Sequence, residues 1–290
     1  MKKIAALNVR LLLPVVLALS AVTYGAAAAN AAAVVNMERV VVQAQVEPFR
    51  GNQPGIPGDD SVKLVQSALD AKGYSTVVDG WYGTGTRSDY AAWQRSLGYS
   101  GIAANGIPGP SSLTRLGSGR FDVQRKILVG AKVYRNGHLV NERTRNMVNA
   151  ADNRVSWSIT LTQGSYRGCS SNSACTHAGG GAVDISVNWS GDSGHNMTSL
   201  EWNRAWNTVK ALRTVGFAAW LRVPSQCSCN WAYHIHAIAV GDTDTHLQAA
   251  DQIADYYVGR NGLASHAADN TPSAYRVPFT WYEAFLRGSK

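Results

Sequence analysis

Two short runs hold the side chains best suited to chemistry. His177-Ala-Gly-Gly-Gly-Ala-Val-Asp184 sets an imidazole and a carboxylate seven positions apart, and Tyr233-His234-Ile235-His236 sets two imidazoles two apart. The glycines at 179–181 let the backbone turn sharply, so that His177 and Asp184 can converge. On a strand, residues two apart share a face, so His234 and His236 point the same way, about 6–7 Å apart along the chain. A tetrahedral zinc site with one open position takes three protein ligands, commonly imidazoles with a carboxylate. His177, Asp184 and His236 supply that set. His234 is left beside it, suited to take a proton from a bound water. The chemistry expected is activation of a metal-bound water. The remaining histidines, His138, His195, His246 and His266, have no partner at metal-ligand spacing and read as surface residues.

The elements that must position these runs can be read from periodicity. Arg143 to Asn153 is helix-like, and Val155-Ser-Trp-Ser-Ile-Thr-Leu-Thr162 alternates apolar and polar residues as a half-buried strand does. Thr198 to Val215 opens with a capping box, Thr198 with Glu201 three residues on, and carries a stripe of Trp202, Ala205, Trp206, Val209 and Leu212 that Gly216 closes. Phe217 to Leu221 and Tyr233 to Val240 read as strands, and Asp244 to Tyr257 as a helix. Helices and strands mix without a regular βαβ repeat, so the class expected is α+β, a small antiparallel sheet with flanking helices. Upstream, residues 34–58 hold Pro48, Pro54, Pro57, Gly51, Gly55 and Gly58 and read as a linker or leader. Asp59-Asp60-Ser61 then caps a helix bearing Val62, Val65 and Leu69, and a second helix spans Thr86 to Leu97. Asp79-Gly-Trp-Tyr-Gly83 and Asn105-Gly-Ile-Pro-Gly109 each precede a helix, which points to an internal duplication.

Composition bounds the function classes. The chain has 290 residues, room for roughly two domains, with 45% apolar and 16% charged residues, and a disordered solvating chain is excluded. The formal charge is +8, but Lys2, Lys3 and Arg10 precede the apolar run at 11–19 and the small residues at 25–33, the layout of a secretory signal peptide over 1–33. Its removal leaves a mildly basic chain with no run of like charges, so nucleic acid is not an expected partner. Nor is a membrane, once the signal is removed; the mature protein is expected as a secreted or wall-associated monomer. Cys169, Cys175, Cys227 and Cys229 are an even number in an exported chain, which favours two disulfides. Cys169–Cys175 closes a short loop; Cys227–Cys229 would be tight, and cross-pairing is open, as is a thiolate zinc site at Cys-x-Cys.

Two resemblances follow from these residues. Leu64-Val-Gln66, Gly73-Tyr74, Asp79-Gly-Trp-Tyr-Gly83, Trp93-Gln94 and Gly106-Ile-Pro-Gly-Pro110 look like the three-helix peptidoglycan-binding domain of secreted wall hydrolases, over 59–117, with Asn105 where that family usually has Asp. The resemblance implies glycan contacts at Trp81 and Tyr82. His177-x-x-Gly180-x-Ala182-x-Asp184 followed by His234-x-His236 resembles the zinc D-alanyl-D-alanine peptidases and their lysostaphin-like relatives, within a domain of 118–259 that leaves 260–290 as a tail. It implies zinc on His177, Asp184 and His236, and His234 as base, the more so because Tyr233 stands where many members have an acidic residue. Gly164-Ser-Tyr-Arg167 is similar to the family's Arg-bearing turn, which implies that Arg167 offsets oxyanion charge and that Tyr166 touches substrate. Cys175 replaces a Ser usual two residues before the first ligand and would tie the metal loop through a disulfide. The activity implied is hydrolysis of D-Ala-containing stem or cross-link peptides of peptidoglycan. The competing expectation is a wall-binding protein with a structural or vestigial metal. The tail, with Trp281, Tyr282 and Phe285, is expected to dock on the peptidase domain.

Overall fold

A computed structural model describes residues 33–169, 175–189, 196–226 and 231–288. Strand β1 (Ala33–Asn36) leads directly into helix α1 (Met37–Arg50), whose N-cap Asn36 accepts a hydrogen bond from the Arg39 N–H at 3.2 Å. The reading of 34–58 as a linker is therefore corrected. Val40, Val41, Val42, Ala44 and Val46 are buried, so the helix has apolar contacts on several sides. Pro48 sits in its last turn, where the missing N–H breaks only one intrahelical bond.

Helices α2 (Asp60–Asp70), α3 (Thr84–Ser96) and α4 (Pro110–Gly117) follow. The duplication is visible in their hydrogen bonds. Gln66 Oε1 accepts from Gly80 N at 2.8 Å and its Nε2 donates to Trp81 O at 2.9 Å; Gln94 does the same with Gly106 N and Ile107 O, both at 2.8 Å. Asp79 Oδ1 accepts from Trp81 N at 2.8 Å, as Asn105 Oδ1 does from Ile107 N at 2.9 Å, so the Asn keeps the turn capped. Both Gly80 and Gly106 have positive φ and are wedged against backbone, where a Cβ would collide. Strand β2 (Phe121–Gln124) pairs in parallel with β1.

The hairpin β3 (Lys132–Arg135) and β4 (His138–Asn141) leads to α5 (Glu142–Asp152). Strand β5 is only Leu161–Gln163, shorter than the alternation at 155–162 suggested. Side chains have taken the backbone partners of the preceding residues: Asp152 Oδ1 accepts from Ile159 N at 2.6 Å and Arg135 Nη1 donates to Ile159 O at 2.7 Å. Strands β6 (Ala182–Ser186), β7 (Phe217–Arg222) and β8 (His234–Ala239) complete an antiparallel sheet in the order β5-β6-β8-β7. Helix α6 (Ser199–Thr214), with the expected capping box at Thr198 and Glu201, covers one face. Ala205, Val209 and Leu212 pack there on Val183, Ile185, Leu221, Ile235 and Ala237. Helix α7 (Leu247–Tyr257) covers the other face through Ala249, Ile253 and Ala254 against Ala218, Trp220 and Ile238. The mixture of helices with a small antiparallel sheet fits the α+β class.

The described residues, 33–288, form one compact unit. Helix α1 joins its parts: Val42 and Val46 share a core with α7, while Val40 and Val41 share one with α2 and α3. Gln45 braces the turn before α7, donating to Asp242 O and accepting from Gly241 N. The tail ends in helix α8 (Trp281–Leu286), whose Tyr282 and Phe285 are fully buried against Tyr257 and Trp81, with ring centroids 5.0 and 5.2 Å apart. Among the described residues no helix is long and apolar enough to cross a membrane.

Candidate metal centre

Alternation along β8 sends Ile235 and Ala237 toward α6 and His234 and His236 toward the α7 face. The register then lines up Asp184, His236 and Trp220 across three strands, with Ser186, His234 and Arg222 in the next row. His177 arrives from a short helical turn, Cys175–Ala178, that precedes β6. The glycines after it are required by close approach: a Cβ on Gly179 would lie 2.3 Å from Asp244 O, and Gly181 has φ +84°.

Three ligand atoms converge. His177, Asp184 and His236 offer one atom each within 4.8 Å of one another. His177 Nε2 lies 3.3 Å from Asp184 Oδ1, and His236 Nδ1 lies 2.8 Å from the same oxygen. In a tetrahedral site with bonds near 2.0–2.1 Å, ligand atoms stand about 3.3 Å apart, which these separations approach. A carbonyl can only accept, so the 2.8 Å contact of His177 Nδ1 with Gly164 O puts the proton on Nδ1 and turns the Nε2 lone pair toward Asp184. His236 is buried with Trp220 nearly parallel to its ring, and burial pushes its pKa down to about 4, which keeps it neutral at pH 7. Two imidazoles and a carboxylate on one point fit a borderline cation, and this cluster could hold a metal ion.

The other expected residues fall into three groups. His234 stands at the rim: its Nδ1 is 2.8 Å from Ala232 O, so Nδ1 carries the proton, and Nε2 lies 4.0 Å from Asp184 Oδ1. The turn at 164–167 is stitched to the metal loop, with Tyr166 N–H donating to Gly179 O and Arg167 N–H to His177 O, both at 2.9 Å. The Arg167 side chain is exposed; Tyr166 has φ +59° and donates its hydroxyl to Asp244 Oδ2 at 2.8 Å. Trp81 and Tyr82, by contrast, are turned inward at 6% and 0% exposure, so neither offers a ring face to a glycan. Trp81 packs on Phe285, and the Tyr82 hydroxyl donates to Gly106 O.

Cys169 and Cys175 form a disulfide beside the centre, while Cys227, Cys229 and His195 lie outside the described residues. Two histidines read as surface residues make local hydrogen bonds away from the centre: His246 Nδ1 accepts from Gln248 N at the start of α7, and His266 Nδ1 lies 2.7 Å from Asp255 Oδ2. Sequence reasoning missed Gly164, Gln248, Gln252, Trp220 and Arg222. Arg222 is 2% exposed, and burial lowers its pKa to about 10. Its Nη1 donates to Asn261 O at 2.6 Å. The one available signal was parity with Leu221, which marks Trp220 and Arg222 as sharing the face opposite it. Comparison with protein-family models, curated proteins and solved structures finds no match to this chain.

Proposed function

We propose that this chain is a secreted zinc-dependent peptidase that hydrolyses D-Ala-containing stem or cross-link peptide bonds of peptidoglycan. The observation that carries the reading is the convergence of His177, Asp184 and His236, with the Nε2 of a further imidazole, His234, 4.0 Å from the carboxylate. Zinc held by the three ligands would supply Lewis acidity, polarising an amide carbonyl and lowering the pKa of water toward ~7. His234, with Nδ1–H engaged by Ala232 O, keeps an Nε2 lone pair free to take the nucleophile's proton and return it to the leaving amine. Arg167, exposed and tied through its backbone to His177, would offset oxyanion charge. Tyr166, half-buried beside it, would orient the substrate. Residues 59–117 would hold the enzyme on the wall and raise the local substrate concentration, through surfaces other than Trp81 and Tyr82.

The position of His234 also favours a second reading, a wall-binding protein with a structural metal, because a third imidazole could close the coordination sphere as its fourth ligand. Digesting purified peptidoglycan with the mature protein, with and without a chelator, separates the two. Chelator-sensitive release of D-alanine or uncrosslinked stems supports the peptidase. Wall pelleting with bound zinc and no release supports the binding protein. In the peptidase reading, His234→Ala retains zinc and lowers turnover by about 10²–10⁴-fold, the usual worth of a general base; unchanged turnover would remove His234 from the mechanism.

A further inference from the structure

His236 has two ring nitrogens and an acceptor at each. Nδ1 faces Asp184 Oδ1 and Nε2 faces Gln252 Oε1, both at 2.8 Å. A neutral imidazole carries one proton and can satisfy one of them. If Nδ1 holds the proton, it bonds to Asp184 and no lone pair is left there for a metal. If Nε2 holds it, Gln252 accepts the bond, and the Nδ1 lone pair joins Asp184 Oδ1 and His177 Nε2 on one point. For His177 the matching choice is enforced by a backbone carbonyl, Gly164 O. For His236 it falls to a side chain sixteen residues away on α7.

We propose that Gln252 is a positioning residue that selects the Nε2–H form of His236 and thereby makes Nδ1 a metal ligand. The inference rests on metal binding at this centre and not on hydrolytic activity. Helix α7 acts here through a pair of glutamines one turn apart, since the Gln248 side-chain carbonyl also accepts from the backbone N–H of Cys175, at the head of the turn that carries His177. One rigid helix thus holds the two segments that bear imidazole ligands, and α1 packs against its outer side. Acceptors behind metal-bound histidines typically carry 10–100-fold of metal affinity.

The test is zinc affinity of the full-length mature chain, by competition with a chromophoric chelator, for the wild type, Gln252→Leu and Gln252→Glu. Leu keeps much of the volume and removes the acceptor; Glu keeps an acceptor at the same place. The expected result is a loss of about 10–100-fold in Gln252→Leu and recovery to wild-type affinity or better in Gln252→Glu. Proton and nitrogen-15 spectra of the zinc-loaded protein provide a second readout: the His236 Nε2–H should be hydrogen-bonded and slow to exchange in the wild type, and exchange rapidly in Gln252→Leu. Equal zinc affinity of wild type and Gln252→Leu, or unchanged exchange of the His236 Nε2–H, overturns the proposal while leaving the metal centre intact. A wild-type chain that binds no zinc overturns both.

Discussion

At the scale of single residues, the same side chain can be set two different tasks by what lies beyond its turn. Asn105 caps its own turn with Oδ1 and donates Nδ2 to Thr245 O at 2.9 Å, a bond that the carboxylate of an Asp could not make. Asn105→Asp should therefore destabilise the chain by about 1 kcal/mol or more, since two acceptors would face each other; urea denaturation at neutral pH measures it, and an unchanged midpoint would contradict the assignment. Glu47 is the opposite case, a buried carboxyl whose pKa burial pushes up to about 8. It accepts from Tyr82 N and from the Tyr282 hydroxyl. Its folded pKa lies above its unfolded value of 4.5, so the native state keeps a proton that the unfolded chain loses. This contribution is fully present below pH 4.5 and is lost as pH rises toward 8, at no more than about 1.4 kcal/mol per pH unit. Glu47→Gln keeps an acceptor for Tyr82 and should flatten the fall of melting temperature over that window; an identical pH profile would count against a protonated Glu47. The cluster of His177, Asp184 and His236 was legible because residue type and spacing are local. Gly164 and Gln252 were not, because a backbone carbonyl has no sequence signature and Gln252 meets His236 only once α7 has packed on the sheet.

At the scale of elements, hydrophobic pattern and capping chemistry identified α6 and β8, and the failures have physical causes. The prolines and glycines of 48–58 marked that segment as a linker, yet the valines of α1 outweigh one proline in its last turn. The alternation at 155–162 is real, but Asp152 and Arg135 compete for its backbone groups and leave a strand only at Leu161–Gln163. The Trp81–Tyr82 turn was placed correctly, while its exposure depended on α1 and α8, which lie in other parts of the sequence. Thr198→Ala removes the cap of α6 and should cost about 1 kcal/mol in thermal or urea unfolding. The disulfide closes a loop with a sequence separation of 6 between Arg167 and His177. Replacing both cysteines by serine should cost about 2 kcal/mol by loop entropy. In the proposed zinc peptidase it should also weaken zinc binding, because the His177 turn loses a tether; a variant with wild-type affinity would show that Gln248 and the backbone bonds suffice.

At the scale of the whole molecule, α1 is a shared wall and not an appendage. It places Met37, Val40, Val41, Val42, Ala44 and Val46 in cores that also hold α2, α7 and α8. Each fully buried residue of valine or methionine size contributes about 1.5–3 kcal/mol, so their sum approaches the 5–15 kcal/mol of a typical domain. A chain beginning at residue 59 should accordingly fail to fold, as read by loss of near-ultraviolet dichroism and rapid proteolysis. A folded truncated chain would restore the reading of that segment as detachable.

The two turns of the duplication face inward and hold unlike partners. The first is wired to Glu47 through Tyr82 N, and the second to Thr245 through Asn105. A copied unit remains a spare part only while both copies meet the same surroundings. Here each has acquired its own correspondent, so transplanting one turn into the other's place would break two unlike contacts at once. The repeat persists as geometry, but its halves have ceased to be interchangeable.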